Sequence, residues 1–234
     1  MNNEIENLIQ NSKLPGKRAN LELLYTFANS ATDQEVELCY KYKYSDLNNT
    51  PEEFIVMCGV LGYCVLNKSN PQNALDRIEE YAISSSWRVR EAVAMGIQEL
   101  ALNDSKVLIE TLDQWSMGNE KVKRAIIAGL CEPKVLKNKY ILENTFRYLR
   151  QFTDELSLCS VKLTEEQKIL RKALGYAWSV AIVEKESIGT SLFETLINND
   201  NKNIRWIVKN NLKKKRLEKM NADWVKNMIG IIAN

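Results

Sequence analysis

The stretch that decides the fold is Ser86-Trp-Arg-Val-Arg-Glu-Ala-Val-Ala-Met-Gly96. Its residues Val89, Ala92, Val93 and Gly96 stand at offsets 0, 3, 4 and 7, the spacing that puts side chains on one face of an α-helix. The same frame recurs along the chain, and a repeat of fixed period outranks any local pattern. Six segments align without internal gaps, with first anchors at Leu21, Ile55, Val89, Val122, Leu170 and Ile204. The intervals between these anchors are 34, 34, 33, 48 and 34 residues, so one repeat is longer by about 14 and the rest keep one period.

The position seven residues past the anchor reads Ala28, Gly62, Gly96, Gly129, Ala177 and Asn211. Glycine inside a helix costs about 1 kcal/mol against alanine. Its recurrence predicts close helix–helix packing that offsets this cost. Asn211 is the one polar residue in the four apolar-or-small columns.

Each amphipathic segment follows a shorter one across a polar break, such as Asn49-Thr-Pro51, Ser84-Ser-Ser86, Gly118-Asn119 or Asn198-Asn-Asp200. Serine and asparagine cap helix N-termini, and Thr50 before Pro51 matches an N-cap followed by proline at the first helical position. The spacing predicts helix pairs over 2–12 with 17–30, 33–44 with 51–67, 71–83 with 86–102, and 104–116 with 119–131. Pairs over 138–152 with 164–184 and 188–199 with 201–217 follow, then a capping helix over 221–232. The extra residues fall in a loop over 154–164. No segment alternates with period two, so no sheet is expected. Two helices per period of about 34 mean an all-α, right-handed solenoid of HEAT or armadillo-like hairpins, read as one domain over 1–234. The tetratricopeptide signature is missing, and the ankyrin T-P-L-H pattern needs a histidine that the chain lacks.

Having no histidine excludes Ser-His-Asp and Cys-His catalysis and histidine-ligated metals. Cys39, Cys58, Cys64, Cys131 and Cys159 form no C-x-x-C pair and read as small buried side chains. Unframed thiols point to a reducing, cytoplasmic setting, and the acidic start Met1-Asn-Asn-Glu-Ile-Glu6 does not read as a signal or transit peptide. Apolar runs such as 55–66 are too short and interrupted for a membrane span. No phosphate-cradling or dinucleotide motif appears, so no cofactor and no metal are expected.

The net charge of +2 hides an asymmetry: residues 1–120 carry 18 acids and 10 bases, residues 121–234 carry 12 acids and 22 bases. The densest basic stretch is 201–219. The residue after each anchor becomes Arg90, Lys123, Arg171 and Arg205 from the third repeat onward, which in a stack forms a ladder of positive charge. Arg88, Lys121, Arg124, Lys172, Lys209 and Lys213 lie beside it, with Trp87 and Trp206 among them. Such a ladder suits phosphate oxygens, and the indoles suit stacking on a base. DNA, another polyanion or an acidic protein are the partners this implies. The competing reading is that these cations tie adjacent repeats together, with Asn119, Glu165 or Glu166, and Asp200 as acceptors. The chain would then be a protein–protein adaptor with no nucleic-acid role. Trp115 and Trp178 read as core, and Trp224 as packing the terminal cap.

The segments 86–96, Leu170-Arg-Lys-Ala-Leu-Gly-Tyr-Ala-Trp-Ser-Val180 and 204–217 resemble inner helices of bacterial HEAT-repeat proteins. More distantly, residues 50–218 resemble the HEAT-like DNA alkylation-repair glycosylases as a pattern. The features that match are Trp87–Arg90 and the basic inner helices. Those enzymes hold DNA on a concave surface and set Trp and Asp beside the modified nucleotide. The resemblance therefore implies, as an alternative to a non-catalytic scaffold, a glycosylase acting on alkylated bases. Its carboxylate candidates here are Asp113 near Trp115 and Glu91 near Trp87, either able to stabilise positive charge developing on the sugar.

Overall fold

Asparagine, serine and threonine side chains open most of the helices, as the polar breaks predict. Ser86 accepts from the Val89 N–H, Asn119 from Lys121 and Val122, Asn138 from Tyr140 and Ile141, and Asn201 from Asn203. Thr164 and Gln167 form a reciprocal capping box. Thr50 departs from this rule. Pro51 does occupy the first turn, but the Thr50 hydroxyl makes no cap hydrogen bond and is buried without a partner.

The computed structural model of the chain describes residues 3–41, 48–159 and 162–233. Among them it is all-α, with fifteen helices and no strand. The chain divides into two compact units, residues 1–112 and 113–234. The first holds α1 (Asn3–Asn11), α2 (Leu21–Ser30), α3 (Asp33–Lys41), α4 (Pro51–Leu66), α5 (Pro71–Ala82) and α6 (Trp87–Ala101). Helix α7 (Ser105–Trp115) runs from the first unit into the second. The second unit continues with α8 (Glu120–Leu130), α9 (Pro133–Leu136), α10 (Lys139–Ser157) and α11 (Glu165–Glu184). It ends with α12 (Glu186–Glu194), α13 (Lys202–Leu212), α14 (Lys215–Met220) and α15 (Ala222–Ala233).

The anchor-bearing helices pack side by side within each unit. Helix α4 lies between α2 and α6, and α11 between α8 and α13. Ile55, Val89, Val122, Leu170 and Ile204 are buried. Leu21, in the first hairpin, is the exception at 51% exposed. The small-residue column does bring helices together: a Cβ built on Gly96 would stand 2.5 Å from Cys64 Sγ. Asn211 breaks the column for a reason. Its buried amide donates to the Leu174 and Ile207 carbonyls and accepts from the Ser179 N–H, so it hydrogen-bonds α13 to α11.

Several boundaries differ from expectation. The helix expected over 17–30 begins only at Leu21, and the one expected over 188–199 runs from Glu186 to Glu194. Helix α10 runs on to Ser157, because Phe152, Thr153 and Leu156 continue its buried stripe, so 154–157 are helical and not loop. The short α9 takes up more of the long interval. The span 201–217 breaks after Leu212. In one unbroken helix Leu217 would point roughly 140° away from Ile204 at 3.6 residues per turn; the break at Lys213 and Lys214 lets Leu217 be fully buried. Residue 2, residues 42–44 of the third expected helix, and residues 160 and 161 of the expected loop lie outside the described residues.

Four of the five cysteines are buried and Cys159 is partly so, all as free thiols. Burial pushes the Cys39 thiol up to about 12 and raises those of Cys58, Cys64 and Cys131 well above the ordinary range. Trp115 and Trp178 are core, and the Trp178 Nε1 donates to Thr153 Oγ1 at 3.1 Å. Trp224 packs on Phe193 and donates to Glu194.

Candidate polyanion-binding face

The cations of the predicted ladder meet acceptors inside the fold. In the first unit, Arg90 donates to the carbonyls of Ser84 and Ser85 at 2.5 and 2.9 Å. Its neighbour Arg88 is buried, pairs with the buried Glu53 at 3.0 Å, and donates to the Gly16 carbonyl at 2.6 Å. Glu53 also accepts from the Ser86 hydroxyl, so the residue that caps α6 shares the same carboxylate. Trp87 is 55% exposed, but the Arg88 guanidinium lies 4.6 Å from its ring centroid. Glu91 is half-buried on the same helix.

In the second unit, Lys123 pairs with Glu155 of α10 at 2.6 Å. Arg171 donates to Asn203 Oδ1 at 2.6 Å and lies 4.6 Å from the Trp206 ring centroid. Arg205 donates to the Ile232 carbonyl at 2.9 Å, near the end of α15. The acceptors are not those the sequence suggested: Asn119 caps α8 and Glu165 pairs with Lys168. Arg124 is half-buried on α8. Asp113 accepts from Arg147 at 2.5 Å and from the Tyr148 hydroxyl at 2.6 Å, while Trp115 beside it is buried.

Lys172, Lys209 and Lys213 are exposed. They belong to one neighbourhood because α11 packs on α13 and α14. The contact is close at Gly175, where a Cβ would stand 2.6 Å from Trp206 Cζ3. The indole therefore lies against α11, and Trp206 is half-buried. On α13, Lys202, Trp206 and Lys209 fall at offsets 0, 4 and 7, along one face, and Lys213 follows as its C-cap. Helix α13 contains no acid. Tyr176 stands one turn beyond Lys172 on α11, with the Arg216 guanidinium 4.9 Å and the Lys214 ammonium 5.9 Å from its ring centroid.

The result is a basic surface built on α11, α13 and α14 and interleaved with Tyr176 and Trp206. Lys172, Lys209, Lys213 and Trp206 were legible from the ladder. Tyr176, Lys202, Lys214 and Arg216 were not singled out, because none occupies an anchor column; the basic density of 201–219 was the only signal for the three cations, and Tyr176 had none. Among the described residues no group of acids and thiols is placed to hold a metal, and no helix is long and apolar enough to cross a membrane. Comparison with protein-family models, curated proteins and solved structures finds no match to this chain.

Proposed function

We propose that the chain is a non-catalytic binding scaffold, a right-handed solenoid of HEAT-like hairpins, whose α11–α13–α14 face docks the phosphate backbone of a nucleic acid. The observation that carries this is the exposed set Lys172, Lys209 and Lys213 on an acid-free helix and its neighbour, beside Tyr176 and Arg216. Each phosphate neutralised releases counterions, so affinity falls with salt with a slope of about −0.9 per contact. Three lysines give a slope near −3. The test is fluorescence anisotropy with a labelled DNA duplex over a salt series. The expected result is binding at about 50 mM salt that is lost steeply as salt rises, with a slope reduced toward zero in Lys172→Ala/Lys209→Ala/Lys213→Ala. Failure to bind duplex at low salt refutes the nucleic-acid reading.

The adaptor reading has its own support, since Arg90, Lys123, Arg171 and Arg205 all have acceptors within the fold. It predicts normal stability with no duplex binding at any salt. The glycosylase alternative asks for a carboxylate open to a substrate. The engagement of Asp113 by Arg147 and Tyr148 speaks for a positioning role in packing instead.

A further inference from the structure

We infer that a second site, sharing no residue with the basic face, takes one acidic amphipathic helix of a partner protein. The site is a cleft of about 700 Å³ bordered by α9, α10 and α12, all in the second unit. Helix α10 lines it with Lys139, Leu142, Glu143, Phe146, Arg147 and Arg150. These fall at offsets 0, 3, 4, 7, 8 and 11, a single helical face about 16 Å long at 1.5 Å per residue. Helix α12 faces it with Ile188 and Leu192, and α9 closes one end with Leu136.

The floor is apolar and the rim is cationic. Leu142 and Phe146 form the bottom, and Ile188 on the far wall is 45% exposed, which leaves apolar surface facing the open cleft. The lining includes five cations, Lys137, Lys139, Arg147, Arg150 and Lys185, and the acids Glu143 and Glu184; Arg147 and Arg150 pair with Asp113 and Asp154 outside the lining. Glu184 is already taken: both its oxygens accept from Lys137 at 3.0 Å. Lys139 and Lys185 are exposed and, among the described residues, carry no ion pair. A ligand that buries apolar groups while presenting carboxylates at its edges answers both features.

The length of the α10 face and the spacing of its residues select a helix. Three turns are the footprint of a docked helix with anchors at i, i+3, i+4 and i+7. A helix satisfies its own backbone hydrogen bonds, so the walls need only recognise side chains, which is what they offer. A phosphate backbone would find no counterpart for the apolar floor. That distinguishes this cleft from the α13 face.

The probe is a synthetic helical peptide of about 14 residues with leucine at i, i+3, i+4 and i+7 and glutamate on both flanks. It is titrated into the full chain by fluorescence anisotropy, with amide chemical-shift mapping. A matched peptide with lysine replacing glutamate is the control. Binding of the glutamate peptide, with shifts confined to α9, α10 and α12, is expected. Lys139→Glu/Lys185→Glu and, separately, Ile188→Glu should each weaken it about tenfold or more, by charge and by loss of the apolar wall respectively. All three positions are exposed, so the variants fold. Equal binding of the lysine peptide, unchanged affinity in both variants, or no binding overturns the proposal. Self-association of the chain that Ile188→Glu abolishes reassigns the cleft to a second copy.

Discussion

Arg171 separates the structural from the ligand-facing role of the ladder. Its guanidinium makes one charged hydrogen bond, to Asn203 Oδ1 at 2.6 Å, and stacks on Trp206 at 4.6 Å. A hydrogen bond from a charged group contributes about 1.5–3 kcal/mol, and a guanidinium over an indole about 0.5–1. Truncation also removes this donor from Asn203, which is buried. Arg171→Ala is therefore expected to cost about 2–4 kcal/mol. For a chain of this size that is a fall in Tm of roughly 4–15 °C. Lys209→Ala, on an exposed side chain one helix away, should move stability by no more than about 0.5 kcal/mol. Thermal unfolding followed by far-UV circular dichroism measures both, and duplex anisotropy measures binding in the same samples. The reasoning predicts opposite signatures: lost stability for Arg171→Ala, and for Lys209→Ala weaker duplex binding with a salt slope smaller by about 1. A Tm within 1 °C of the parent for Arg171→Ala, joined to lost binding, would refute it.

The remaining predictions concern the core. Glu53→Ala leaves Arg88 buried without its carboxylate, and is expected to cost about 3–5 kcal/mol, whereas replacing both residues with apolar side chains recovers most of that; urea unfolding of the parent and the two variants checks it. Gly96→Ala should destabilise by about 1–3 kcal/mol despite alanine's better helix propensity, because its Cβ meets Cys64 Sγ, and Cys64→Ala in the same chain should relieve most of the loss. The raised folded-state pKa of Cys39, near 12, means that the unfolded chain gives up this proton first, so its contribution is present below about pH 9 and is lost between pH 9 and 12. Each such thiol subtracts up to about 1.4 kcal/mol per pH unit in that window, and urea midpoints that stay constant from pH 8 to pH 11 would contradict the burial.

The helices were legible because their apolar columns and their caps agree. Val89, Ala92, Val93 and Gly96 name a helical face, and Ser86 names where it starts; the structure has α6 at Trp87–Ala101 with Ser86 as its cap. What stayed hidden depends on the partner side of each contact. Periodicity places Asn211 at a packing position but does not say that the Leu174 carbonyl and the Ser179 N–H wait there. It marks Leu217 as apolar without saying that the helix must break to bury it. The cleft was invisible for the same reason. The α10 face from Lys139 to Arg150 reads as an ordinary amphipathic pattern, and only the placement of α12 beside it turns Ile188 and Leu192 into a facing wall.

One chemical signal was present in the sequence and becomes intelligible in the structure. Of the four ladder cations with internal acceptors, three are arginine: Arg90, Arg171 and Arg205. The exposed cations beside them on α11 and α13 are lysines: Lys172, Lys202, Lys209 and Lys213. Arginine carries a planar, weakly hydrated donor fork that suits carbonyl acceptors and aromatic faces, and lysine carries a strongly hydrated point charge that is costly to bury. Arg171 and Lys172 make the contrast within one turn. About 100° of helical rotation separates them, which sends the guanidinium to Asn203 and Trp206 and leaves the ammonium in solvent. Lys123 is the exception that fits the rule, since its acceptor is the full negative charge of Glu155 and not a neutral oxygen. Residue type thus distinguishes cations that spacing alone merges: the arginines meet acceptors within the fold, and the lysines face solvent on the surface proposed to bind nucleic acid.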